Sequence, residues 1–209
     1  MFEIKENYYD RYEFFPLTIL DTGLDKAKDE IKNIVETWWG ATKVIESTVD
    51  LCKVNPPPEI TPGGAHFIKL LIWEPKNNPH VTAVFVNLQD AYNSLIHVWN
   101  DRYKKAAITV RLSNDKICKY PHHEINVKTS KNDERVVYTH VESKWEFFQS
   151  GPVQDFENTD YYKLKRIKDK LDNNVVNEYM EKLGFEIWSE DFYTSNREGV
   201  YFEQLAWRK

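Results

Sequence analysis

The chain has 209 residues, 41% hydrophobic, 29% charged and 14% aromatic, with a formal net charge of -5. That length buries a core in one domain without disulfides, and so many rings exclude a disordered chain, because they must leave water. No run approaches the roughly 18 apolar residues of a membrane helix, and the acidic start, with Glu3 and no apolar stretch behind it, reads as no secretory leader.

The first element is a strand, Tyr12 to Ile19, rich in aromatic and β-branched residues. Pro16 inside it marks an edge strand or a break. Leu24 to Trp39 follows as an amphipathic helix, with Leu24, Ala27, Ile31, Ile34, Val35 and Trp38 at helical spacing. Asp21 or Thr22 is its expected cap, and Gly40 its terminating glycine. Lys43 to Leu51 reads equally as strand or helical turn.

Residues 55–64 hold four prolines and two glycines, which makes them a loop and a loose candidate boundary within a single 1–209 domain. His66 to Trp73 and Val81 to Leu88 read as a hairpin, and Asp90 to Tyr103 as a helix. Four strands come next: Ala106 to Leu112, Glu124 to Thr129, Arg135 to Val141 and Lys144 to Gln149. Their short polar links imply an antiparallel meander. Two helices, Thr159 to Leu171 and Asn173 to Leu183, precede strands Phe185 to Trp188 and Val200 to Trp207. The expected fold is therefore α+β: a mostly antiparallel sheet of six to eight strands, with three to four helices packed mainly on one face.

The charge is unevenly placed. Residues 1–100 carry the whole net of -5, and residues 101–209 balance. A pI near 5.7 lacks the basic footprint of a dedicated nucleic-acid binder. The strongest local feature is basic: Lys163, Arg166 and Lys170 fall at i, i+3 and i+7 of the expected helix and make a stripe that suits phosphates or an acidic surface.

Catalytic motifs are absent. His122 and Glu124, two apart on a strand, share a face and would suit a metal if a third ligand such as His140 or His97 arrived. His123 must face the other way. Cys118, near Lys116, Lys119 and His122, is the best cysteine–histidine arrangement. Gly63-Gly64 lacks the lysine and hydroxyl of a phosphate loop. Cys52 and Cys118 form no Cys-x-x-Cys pair and read as reduced thiols of a cytoplasmic protein.

Aromatic residues are the other candidates. Trp39 at the end of the first helix, with Tyr201 and Trp207 on the last strand, are of the types that anchor interfaces. The function these features imply is a cytoplasmic protein-binding or accessory module, a neutralising or regulatory partner of another macromolecule such as those of bacteria or phages. Its binding residues would be Trp39, Lys163, Arg166, Lys170, Tyr201 and Trp207, with no cofactor and no metal. Self-association is compatible with this. The alternatives are a metal-assisted hydrolase on His122 and Glu124, with an acid from Glu186, Glu190 or Asp191, and nucleic-acid binding through residues 163–170.

Overall fold

The computed structural model describes residues 8–58 and 66–208. Residues 59–64 of the expected boundary lie outside them. Among the described residues, nine strands form one sheet: β1 (Phe14–Leu20), β2 (Trp39–Ser47), β3 (Lys69–Trp73), β4 (Thr82–Val86), β5 (Ala107–Ser113), β6 (His122–Lys128), β7 (Glu134–Val141), β8 (Trp145–Ser150) and β9 (Gly199–Trp207). Their order is β2-β9-β3-β4-β1-β5-β6-β7-β8, with every pairing antiparallel. The helices are α1 (Leu24–Trp38), α2 (Asn93–Tyr103) and α3 (Asn173–Lys182). No helix among the described residues is long and apolar enough to cross a membrane.

The sheet is larger than the six to eight strands expected, because most of the segment that read either way, Lys43 to Leu51, belongs to β2. The chain passes from α1 into β2 without a turn. Trp39 ends the helix in extended backbone, at φ -91° and ψ 146°, while its N–H still reaches the Val35 carbonyl. Gly40 therefore does not terminate the helix. It lies in β2, where a Cβ would collide with the backbone carbonyl of Trp207 on β9. The other end of α1 departs from expectation too: its N-cap is Gly23, with no side-chain cap.

Alternate residues of the central strands feed two separate apolar clusters, as the two-residue period of a strand requires. Leu17, Leu71, Trp73, Phe85 and Tyr201 point into one, with Val176, Tyr179 and Met180 of α3. Leu20, Leu70, Ile72, Val84 and Phe202 point into the other, with Ile31 and Ile34 of α1 and Ile96 and Trp99 of α2. Helices thus serve both clusters, α1 and α2 on one and α3 on the other. Strand β1 lies in the middle of the sheet rather than at its edge. Pro16 is accommodated because pairing to β4 begins only at Leu17, while β5 pairs along the whole strand.

The expected helix over Thr159 to Leu171 does not form. The segment holds two short 3-10 turns, Tyr161–Lys163 and Ile167–Asp169, separated by extended backbone at Leu164 (φ -59°, ψ 143°). Tertiary contacts override the helical spacing. Tyr162 sends its hydroxyl to Glu157, 2.6 Å away. The Leu171 carbonyl accepts from Thr139 Oγ1 at 2.5 Å. Helix α3 starts cleanly where Asp172 accepts from the Val175 N–H at 2.9 Å. It ends in a Schellman motif, with Gly184 at φ +88° and the Phe185 N–H on the Met180 carbonyl. Phe185 to Trp188, expected as a strand, is not one. Phe185 and Ile187 fill the α3-side cluster from irregular backbone.

Two buried charges tie distant segments together. Glu30 of α1 accepts from Trp99 Nε1 at 2.9 Å and from the Lys105 ammonium at 2.5 Å. Arg135 grips Glu157 through Nε at 2.9 Å and Nη2 at 2.6 Å, and its remaining donors reach Gln149 and the Ser150 and Gly151 carbonyls. Each charge is surrounded by partners, which is the condition for burying it.

Candidate functional site

The apolar cluster beneath α1 and α2 takes side chains from β2, β9, β3, β4, β1 and Ala107 of β5, and none from β6 to β8. Beyond β5 the same face turns polar and aromatic. Register sets the residues in two cross-strand rows. One runs Arg111, Glu124, Tyr138, Phe148; the other runs His122, His140, Glu146. Directly opposed side chains of this kind are the contacts that stabilise a sheet. Tyr138 stacks on Phe148 with ring centres 4.9 Å apart and on His122 at 5.4 Å. The two imidazoles lie 5.9 Å apart. Phe148 is 44% exposed on edge strand β8, so the rows end at a solvent-facing ring.

Charge is organised around Glu124, which is buried. The Arg111 guanidinium donates to it through Nε at 2.8 Å and also through Nη2. His122 Nε2 lies 2.8 Å from the same carboxylate oxygen. Burial pushes the Glu124 carboxyl up, but the hydrogen bond from His122 and the charge of Arg111 outweigh it and hold the group below the ordinary carboxylate range. Burial lowers His122 below the ordinary imidazole value, against the pull of Glu124. At neutral pH the trio is a guanidinium–carboxylate pair beside a neutral imidazole. The His122 proton sits on Nε2, facing Glu124, which leaves Nδ1 as an acceptor.

At one end of these rows the face opens into a cavity of about 310 Å³, lined among others by Glu13, Arg111, Tyr120, His122, His140 and Glu142. Loops at the strand ends supply Glu13, Tyr120 and Glu142, and strands supply the rest.

His123 faces the opposite side, as alternation requires. It is buried, with Nδ1 2.7 Å from Asn173 Oδ1 and its ring parallel to Trp145. Asp115 Oδ1 lies 3.1 Å from Nε2 but outside hydrogen-bond direction. Burial pushes the Cys118 thiol up to about 11, so the neighbouring lysines do not activate it. Among the described residues, no three histidine, cysteine or acidic side chains group as metal ligands. His140 does come beside His122, but Arg111 already occupies Glu124. Glu190 lies elsewhere, against Arg11 at 3.3 Å.

The residues singled out from sequence as binding candidates scatter. Trp39 is only 4% exposed and donates to the Tyr92 hydroxyl at 3.1 Å. It is Trp38, its neighbour, that is part-exposed. Tyr201 is 7% exposed, and burial pushes its phenol up to about 12. Trp207 is half-exposed and packs on Phe67 at 5.8 Å, beside β2 at the far end of the sheet. Lys163 pairs with Asp160 and Arg166 with Asp169. Lys170 turns back to the Tyr162 carbonyl at 2.7 Å and lies over the Phe147 ring. Without a helix the three cations form no stripe. The face that the fold assembles, Arg111, Tyr138, His140 and Phe148, was missed as a unit. Its sequence signal is the alternation of polar with aliphatic residues in β6, Glu124-Ile125-Asn126-Val127-Lys128.

The chain matches no family model, no curated protein and no solved structure.

Proposed function

We propose that this chain is a cytoplasmic protein-binding or accessory module, a neutralising or regulatory partner that docks another protein on the open face of β5 to β8. One observation carries the reading: a helix-sided apolar cluster stops at β5, and the next three strands present part-exposed imidazole and aromatic rings on the same face. Rings of this kind, set among polar groups, are the usual anchors of an interface. The two free thiols, Cys52 exposed and Cys118 buried, accord with a reducing compartment. The metal-hydrolase alternative has less support, because the carboxylate it needs is committed to Arg111. The nucleic-acid alternative loses the basic helix face on which it rested.

The test is a photo-crosslinking amino acid placed at Phe148, with a second at exposed Lys32 on α1 as control, in the native host lysate. The docking reading expects a discrete adduct from position 148 and none from position 32. A second copy of this chain would appear as a doubled mass. The adduct should vanish with Tyr138→Ala while the thermal midpoint of the variant shows that it is folded. Equal crosslinking from both positions would remove the reading.

A further inference from the structure

The open face ends in a cavity whose charge is one-sided. Arg111 is neutralised by Glu124 behind it, and His122 is neutral and offers an acceptor. The remaining acidic lining groups are Glu13 and Glu142, and neither forms an ion pair among the described residues. The Glu13 backbone is fixed on both sides, its N–H on the Pro58 carbonyl at 2.6 Å and its carbonyl receiving the Asn114 N–H at 3.1 Å, so its carboxylate is presented from an ordered segment. Glu142 projects from the turn between β7 and β8. Tyr120 at the rim carries the ammonium of its neighbour Lys119 over its ring, 4.9 Å from the centre.

Resting on the docking reading above, we propose that this cavity receives an arginine or lysine side chain of the partner protein. A guanidinium entering between Glu13 and Glu142 meets two carboxylates and the His122 acceptor. The volume is at the small end of ligand pockets and suits one side-chain terminus rather than a metabolite. A phosphate or carboxylate ligand would face the same two acids, with only the already paired Arg111 in its favour. Complementary charge of this kind chooses a partner and its register more than it sets total affinity.

The experiment is an NMR titration of the full chain with N-acetyl-arginine amide, beside N-acetyl-glutamine amide and inorganic phosphate as probes. Expected are salt-sensitive shifts at His122, His140 and Tyr120 with the arginine probe alone. Glu142→Gln, on an exposed turn that the core does not use, should weaken that binding roughly twofold to fivefold, the usual range for an exposed ion pair. Glu13→Gln should add a similar factor. Shifts produced by phosphate, or arginine shifts unchanged in the double variant, would overturn the proposal. If the Phe148 crosslink to a partner survives the double variant undiminished, docking on the face stands and the cationic anchor is wrong. If the crosslink never forms while the arginine shifts do, the docking reading fails instead.

Discussion

His122 and Glu124 stand two residues apart on β6, and the imidazole Nε2 lies 2.8 Å from the carboxylate that also accepts from Nε and Nη2 of Arg111. That relationship fixes how the open face responds to acid. His122 is held neutral and Glu124 ionised, so the folded chain binds fewer protons at both groups than the unfolded chain does.

Stability should therefore fall as pH falls. The sign follows from linkage: where the unfolded state takes up more protons, lowering pH favours it. The His122 contribution is intact above the ordinary imidazole value of about 6.5 and is lost below it. The Glu124 contribution is intact above about 4.5 and is lost below that. Urea midpoints measured between pH 8 and 5 should decline below pH 6.5. The decline should be shallower in His122→Gln. An identical slope in the variant would mean that other groups control it.

Glu157→Ala should cost about 3–5 kcal/mol, because it leaves the buried Arg135 guanidinium without its carboxylate. The double variant Arg135→Met with Glu157→Leu should lose much less, since no buried charge remains. Urea unfolding of the two variants checks the ordering.

Gly40→Ala should destabilise by about 1–3 kcal/mol, the usual range for forcing atoms into a filled site. The added methyl meets the Trp207 carbonyl across the β2–β9 pair. Gly23→Asp, at the uncapped start of α1 and with open space around its Cβ, should be neutral or gain a few tenths of a kcal/mol. Thermal midpoints separate the two glycines.

Lys165→Pro tests the lost helix directly. Inside an α-helix it would cost about 3 kcal/mol. Here Leu164 already has the extended conformation that precedes a proline, so the change should cost under about 1 kcal/mol by urea unfolding. A helix-like penalty would mean that the segment is helical in solution.

The local patterns were legible where one segment decided its own state. The apolar spacing of α1 and α3, the alternation in β5 to β7 and the polar links between meander strands depend on residues close in sequence. The opposite facing of His122 and His123 is equally local, since it follows from strand geometry alone. Trp39 misled because a helix and a strand meet there without a turn, and a sequence offers no punctuation for such a junction. The basic stripe misled for a different reason. Its spacing was helical, but Tyr162, Lys170 and Leu171 are claimed by partners on Glu157, Phe147 and Thr139.

By itself, then, the sequence determined an α+β chain with antiparallel meander strands, a split in charge between its halves and a high load of rings. Only the tertiary structure decided that β9 inserts between β2 and β3, that β1 lies at the centre, and that helices serve both faces. It also decided that Arg111 stands opposite Glu124, which turned an apparent metal pair into an ion pair. The physical reason is range. Hydrogen-bond registers and buried ion pairs join residues up to well over a hundred positions apart, and their energies depend on a geometry that no single segment encodes.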